Sequence, residues 1–235
     1  MKKRIICCIT VIAIGFVSAV GLCLKTLFAP KAVFSETVNQ MKIVVDAGHG
    51  GIDGGVVGRA TKVKESDLNL QIAYRLKEVL EEKGFEVVLT RKTQGGLYGA
   101  PTKGFKRRDM QERKAVIERE NPSYVISLHQ NFYPSKSSRG AQVFYNSEYD
   151  THKAFAEYLQ AELNGVYEKQ GVKHRKVSKG DFYMLQCTQA PSALVECGFL
   201  SNALDEELLV SGAWQEKIAV AIASGVLRFL SESAT

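Results

Sequence analysis

The chain has 235 residues, 45% of them apolar, enough to bury the core of one domain or at most two. Its formal charge is +6, but residues 1–40 hold Lys2, Lys3, Arg4, Lys25 and Lys31 against Glu36 alone. The rest of the chain is therefore close to neutral, which excludes the basic stripe of a nucleic-acid binder.

In chain order, the first element is a targeting segment. Lys2, Lys3 and Arg4 precede an apolar-to-small run from Ile5 to Leu24, longer than the ~7–15 residues of a cleaved signal core and long enough to span a bilayer. Cations on its N-terminal side direct the rest of the chain out of the cytoplasm. Residues 1–24 are thus expected to be a retained membrane anchor or a signal, residues 25–40 a linker, and residues 41–235 the functional domain. Cys7, Cys8 and Cys23 fall in the first segment, leaving Cys187 and Cys197 either as one disulfide or as two small buried residues.

Residues 41–46 are a short β-branched run that reads as a buried strand and leads into VVDAGHGGIDGG, residues 44–55. Leu68, Ile72, Leu76, Val79 and Leu80 recur at helical spacing and predict a helix over 65–83, closed by Gly84. The next strand spans 85–89. The glycine-rich segment 95–104 is too long for a simple turn and reads as a lid or substrate-facing loop, as a surface for an activating partner protein, or as a plain loop. Next come a charged helix over 106–119, strands over 124–128 and 141–145, and an amphipathic helix over 149–167. Strands over 182–185 and 193–196 and a helical region over 205–230 complete the chain. The alternation predicts a single α/β domain with a largely parallel twisted sheet of about six strands flanked by helices.

In such sheets functional residues gather at the carboxyl ends of strands. That rule selects His49 in DAGHGG, His129 in SLHQN, and Glu196 in ALVECGFLSN. Two histidines at equivalent strand ends, one bracketed by glycines, point to a metal. A catalytic zinc site takes three protein ligands and an open position, and His₂Glu is one such set. Glu65, at the start of the helix after the His49 loop, suits the third position, or else it merely favours the positive end of that helix. Asp46 and Asp53 compete for the role. Asp46 also suits a partner that fixes the His49 tautomer. Glu196 ends an apolar strand with no Arg or Lys beside it in sequence, which fits a general base. His152 and His174 lie in polar surroundings and read as surface residues. A thiol hydrolase built on Cys197 is the rival chemistry, but Cys197 and Glu196 must face opposite sides of one strand.

These motifs resemble the zinc-dependent N-acetylmuramoyl-L-alanine amidases of the amidase-3 type. DAGHGGIDGG is similar to the family's first motif, with His49 as zinc histidine. KESDLNLQIA is similar to the segment of its glutamate ligand, Glu65. SLHQN resembles the motif of the second histidine, His129, and PSALVECGFLSN the last motif, with Glu196 as catalytic glutamate. Gln130 departs from the pattern, which usually has a small residue such as alanine there. The resemblance implies a zinc cofactor and a peptidoglycan substrate, a glycan strand with its stem peptide. The bond cut is the amide between N-acetylmuramic acid and L-alanine, with Glu196 moving the proton of the attacking water to the leaving amine. It also implies a lesser role for Asn131, and for Arg175 either contact with a stem-peptide carboxylate or no more than a solvated charge. The compact build resembles the sporulation amidases that act before muramic-δ-lactam forms in spore cortex. The alternative is a non-catalytic peptidoglycan-binding or activator module on the same fold.

Overall fold

The computed structural model describes residues 41–233. The anchor or signal (1–24) and the linker (25–40) lie outside these residues. Six strands form one sheet: β1 (Lys42–Ala47), β2 (Glu86–Leu89), β3 (Tyr124–Asn131), β4 (Gln142–Tyr145), β5 (Ser178–Lys179) and β6 (Ser192–Phe199). Their order across the sheet is β2-β1-β3-β6-β4-β5. Every pairing is parallel except β4 with β6.

Five helices flank the sheet: α1 (Glu65–Glu82), α2 (Phe105–Glu120), α3 (Asp150–Glu168), α4 (Ala203–Leu209) and α5 (Gly212–Ser233). The inner strands carry continuous apolar runs through their middles because helices cover both faces. Ile43, Val44, Val45, Ile126, Leu128 and Val195 are all solvent-inaccessible. Ile117 of α2 packs with Val44, Val125 and Met184 in one cluster. Helix α5 packs against both α1 and α3. The single α/β domain with a mostly parallel six-stranded sheet is the architecture the alternation predicts.

The differences are local. Residues 182–185 are not a strand: Tyr183–Gln186 form a 3-10 turn that buries Met184 and Leu185. A run this short carries no periodicity that separates the two, and the sheet edge is built by β5 instead. The region over 205–230 is two helices, with Asn202 capping α4 by accepting from Leu204 N and Asp205 N. Strands β3 and β6 run on to Asn131 and Phe199, so His129 is a strand residue rather than a loop residue, and Glu196 lies within its strand rather than at its end.

His152 is not on the surface. It is fully buried, with Nδ1 3.2 Å from Ser192 Oγ and Nε2 3.3 Å from Gln189 O. Its sequence neighbours are polar, yet it shares the inward stripe of α3 with Phe155, Ala156, Leu159 and Leu163. Burial lowers its pKa. His174 is exposed and pairs with Glu168. Cys187 and Cys197 are free thiols.

Candidate metal centre and catalytic cleft

Because β1 and β3 are parallel neighbours, their carboxyl ends lie together, with Ala47 opposite Leu128. Gly48 extends the pairing by one bond, its N–H donating to Leu128 O at 3.1 Å. A Cβ on Gly48 would sit 2.3 Å from the His129 ring, so only glycine lets the two histidines approach. His49 itself is left-handed, with φ 61°, a conformation a non-glycine residue adopts only when its surroundings hold it.

Two buried guanidiniums supply that hold. Arg113 of α2 donates through Nη2 to His49 O (2.5 Å) and through Nη1 to Ala47 O (2.7 Å) and Asp46 Oδ1 (2.6 Å). Its Nε reaches Asp109 Oδ2 at 2.6 Å. Arg91, just past β2, donates through Nε to Ala47 O (2.8 Å) and through Nη2 to Gly48 O (3.1 Å) and Ser66 O (2.7 Å).

Asp46 does not touch His49, contrary to the role expected of it. It points under the loop, where it accepts from Arg113, Thr90 and Ser127. Burial opposes its charge, but Arg113 and the two hydroxyls outweigh burial and hold its pKa down to about 2. The tautomer-fixing place belongs to Asp53, whose Oδ2 lies 3.1 Å from His49 Nδ1. The loop turns back between Gly50 and Asp53, which pair across a bridge.

His49, Glu65 and His129 each present a ligand atom within 4.8 Å of the others, a grouping that could hold a metal ion. Glu65, nearly inaccessible at the start of α1, sits between the rings. Its Oε1 is 3.3 Å from His49 Nε2 and 2.9 Å from His129 Nδ1. Its Oε2 accepts from Val56 N at 2.9 Å. A Cβ on Gly55 would come within 2.4 Å of that oxygen. Burial works against the Glu65 charge, but the two imidazoles outweigh it and pull the carboxyl well below the usual range. Burial likewise opposes charge on His49, yet Glu65 and Asp53 raise it to about 8.

Glu196 stands beside His129 in register on the next strand. Its Oε2 is buried and finds no hydrogen-bond partner among the described residues. Burial, with a smaller contribution from Glu65, raises its pKa to about 7 despite the nearby imidazoles. Cys197, facing the other way, is inaccessible, and burial drives its thiol far above the ordinary range. Cys197 is therefore not placed to act as a nucleophile in the Glu196 cleft.

These groups open into a cleft of about 510 Å³. Phe105, Lys106 and Met110 of α2 line it, with Phe182 and Tyr183 around the 3-10 turn and Asn131 and Phe132 beyond His129. Asn131 is thus in the cleft, whereas Arg175 is not. Its Nε donates to Arg139 O at 2.9 Å and its guanidinium stacks 4.9 Å over Phe199, a packing role at the sheet edge.

Arg91, Arg113 and Asn69 were not legible as site residues. Arg113 lies in a run so charged that it reads as a solvated face. Asn69 did leave a signal, since it falls on the apolar stripe of α1, where an unexplained polar residue marks a partner.

Comparison with known proteins agrees with this geometry. A family model described as N-acetylmuramoyl-L-alanine amidase matches residues 43–228. The germination-specific N-acetylmuramoyl-L-alanine amidase of Bacillus subtilis is 37% identical over 193 residues, covering 81% of this chain and 80% of the relative. Among solved structures, the CwlD amidase from Clostridioides difficile in complex with the GerS lipoprotein superposes with a TM-score of 0.77 at 36% identity. That match covers 82% of this chain and 99% of the other. The catalytic domain of CwlV, an N-acetylmuramoyl-L-alanine amidase from Paenibacillus polymyxa, gives 0.71 at 30% identity, with 82% and 99% covered. With four motifs in order, one fold and one cluster of acid and imidazole groups, the chain belongs to the N-acetylmuramoyl-L-alanine amidase family and is a hydrolase of that class.

Proposed function

We propose that this amidase is zinc-dependent, with His49, Glu65 and His129 as the metal ligands and Glu196 as the catalytic acid–base. The observation that carries the reading is the buried, unpaired Glu196 carboxylate in the same cleft as a His-Glu-His group. A charge so placed is costly unless a cation or a reacting proton compensates it.

The donor set suits zinc, since two imidazoles and one carboxylate leave a fourth position for substrate or water. Zinc held there would supply Lewis acidity at the scissile carbonyl. This chain's own residues do the rest. Asp53 accepts the Nδ1 proton of His49 and leaves Nε2 turned toward Glu65. Glu196 takes the proton of the attacking water on a carboxylate oxygen and returns it to the leaving amine of L-alanine. Phe105, Met110 and Leu194 give the cleft an apolar wall that limits bulk water.

The substrate is peptidoglycan, and residues 41–235 are its catalytic domain. The site of action lies outside the cytoplasm, reached through residues 1–24. A spore-cortex role ahead of muramic-δ-lactam formation is supported by the likeness to a germination-specific amidase. An activating partner protein is supported by the lipoprotein bound to the CwlD structure. The test is release of L-alanine amino termini from purified peptidoglycan, with and without added zinc. Zinc-stimulated release by the wild type, lost in His49→Ala, is the expected result. No release under conditions where a control amidase works would sink the reading in favour of a binding module.

A further inference from the structure

Gln130 stands where a small residue is expected, and the proposed mechanism makes no use of its side chain. It is only 2% exposed. Its Nε2 donates to Asn69 Oδ1 at 3.1 Å, while its Oε1 finds no nitrogen or oxygen partner and the amide lies within reach of the Cys197 thiol. Asn69, fully buried one turn into α1, uses both of its donor hydrogens. One goes to Gly48 O at 3.1 Å, in the loop that carries His49, and the other to Glu65 Oε1 at 3.4 Å. The backbone N of Gln130 also donates to Glu65 Oε1, at 3.1 Å.

These contacts dictate the orientation of the two amides. Turning Asn69 over would set its oxygen against the Gly48 carbonyl and the Glu65 carboxylate, three acceptors together. The donor on Gln130 reinforces the productive orientation, because it meets the Asn69 oxygen. The cost is a buried amide oxygen left unpaired, which a residue present for packing alone would avoid.

We propose that Gln130 and Asn69 are positioning residues: together they fix the Glu65 carboxylate relative to the His49 loop, and so set metal affinity. The inference rests on the metal-ligand reading of His49, Glu65 and His129. Groups that orient metal ligands typically change affinity by ~10–100-fold when removed.

The experiment measures zinc affinity by competition with a chromophoric chelator, beside the melting temperature of the metal-free protein, in wild type, Gln130→Leu, Asn69→Ala and the double variant. Gln130→Leu keeps the volume and removes both the donor and the orphaned oxygen. The variant exchanges one unpaired buried oxygen, Gln130 Oε1, for another, Asn69 Oδ1, so its metal-free melting temperature is expected to change little, while zinc binding weakens roughly tenfold or more. In the Asn69→Ala background, Gln130→Leu should have no further effect, since both act along one path. Zinc binding by Gln130→Leu equal to wild type, or additive losses in the double variant, would overturn the proposal. If Asn69→Ala does not fold, Gln130→Met repeats the decisive comparison. Failure of the underlying metal reading is distinguishable, because then the wild type itself would bind zinc no better than His49→Ala.

Discussion

Adjacent residues of β6 have opposite fates. Glu196 faces the cleft with a buried, unpaired oxygen, and Cys197 faces the core. That alternation was legible in the sequence, because any strand must turn neighbours to opposite sides. Its consequence is a paired prediction. Glu196→Gln should lower kcat by ~10²–10⁴ while zinc content stays at the wild-type level, whereas Cys197→Ser should keep turnover. Loss of activity in the serine variant alone, with its melting temperature unchanged, would reverse the assignment. The exchange of roles between Asp46 and Asp53 was not legible. Both aspartates flank His49, and the choice depends on the left-handed turn at His49 and on the Gly50–Asp53 bridge, neither of which spacing reveals.

At the scale of elements, the His49 loop is shaped from below by α2 and the end of β2. Helix α1 could be read from periodicity because one stripe is apolar, but α2 hides its function. Of its charged residues, only Arg113 and Asp109 are buried. Removing one partner of a buried ion pair leaves the other uncompensated, a cost of about 3–5 kcal/mol. Arg113→Met should therefore lower the stability measured by urea unfolding by that much, and adding Asp46→Asn should recover part of it. Acid should act through the same pair. The Asp46 carboxyl titrates at about 2 in the fold, below its unfolded value near ~3.9. Its contribution is thus complete above that unfolded value and is lost as pH falls toward the folded one. Urea midpoints measured from neutral to acid pH should fall more in the wild type than in Arg113→Met/Asp46→Asn, whose remaining loss comes from other depressed carboxyls such as Glu65. The 3-10 turn at Tyr183–Gln186 escaped the sequence reading for a different reason: four residues are too few to display a period.

For the whole molecule, the proposed ligand atoms come from the loop after β1, the first turn of α1 and the far end of β3, so a metal held there would cross-link segments distant in sequence. At zinc a hundredfold above Kd, binding to the folded state alone adds about 2.7 kcal/mol. Zinc should raise the melting temperature of the wild type reversibly, a chelator should remove the gain, and His129→Ala should show none. The parallel sheet could be argued from alternating elements, but its strand order could not. Placing β6 between β3 and an antiparallel β4 inserts the last strand between two earlier ones, which is a matter of tertiary packing. That order also decides what the sheet shows at its margins. One edge is β2, four residues long with the exposed Glu86, and the other is β5, two residues with the exposed Lys179. Short, charged edges give another chain little to pair with. The long strands β3 and β6, the segments most able to template strand-to-strand aggregation, are both enclosed, so an enzyme that works on a crowded, insoluble polymer exposes no adhesive sheet edge among the described residues.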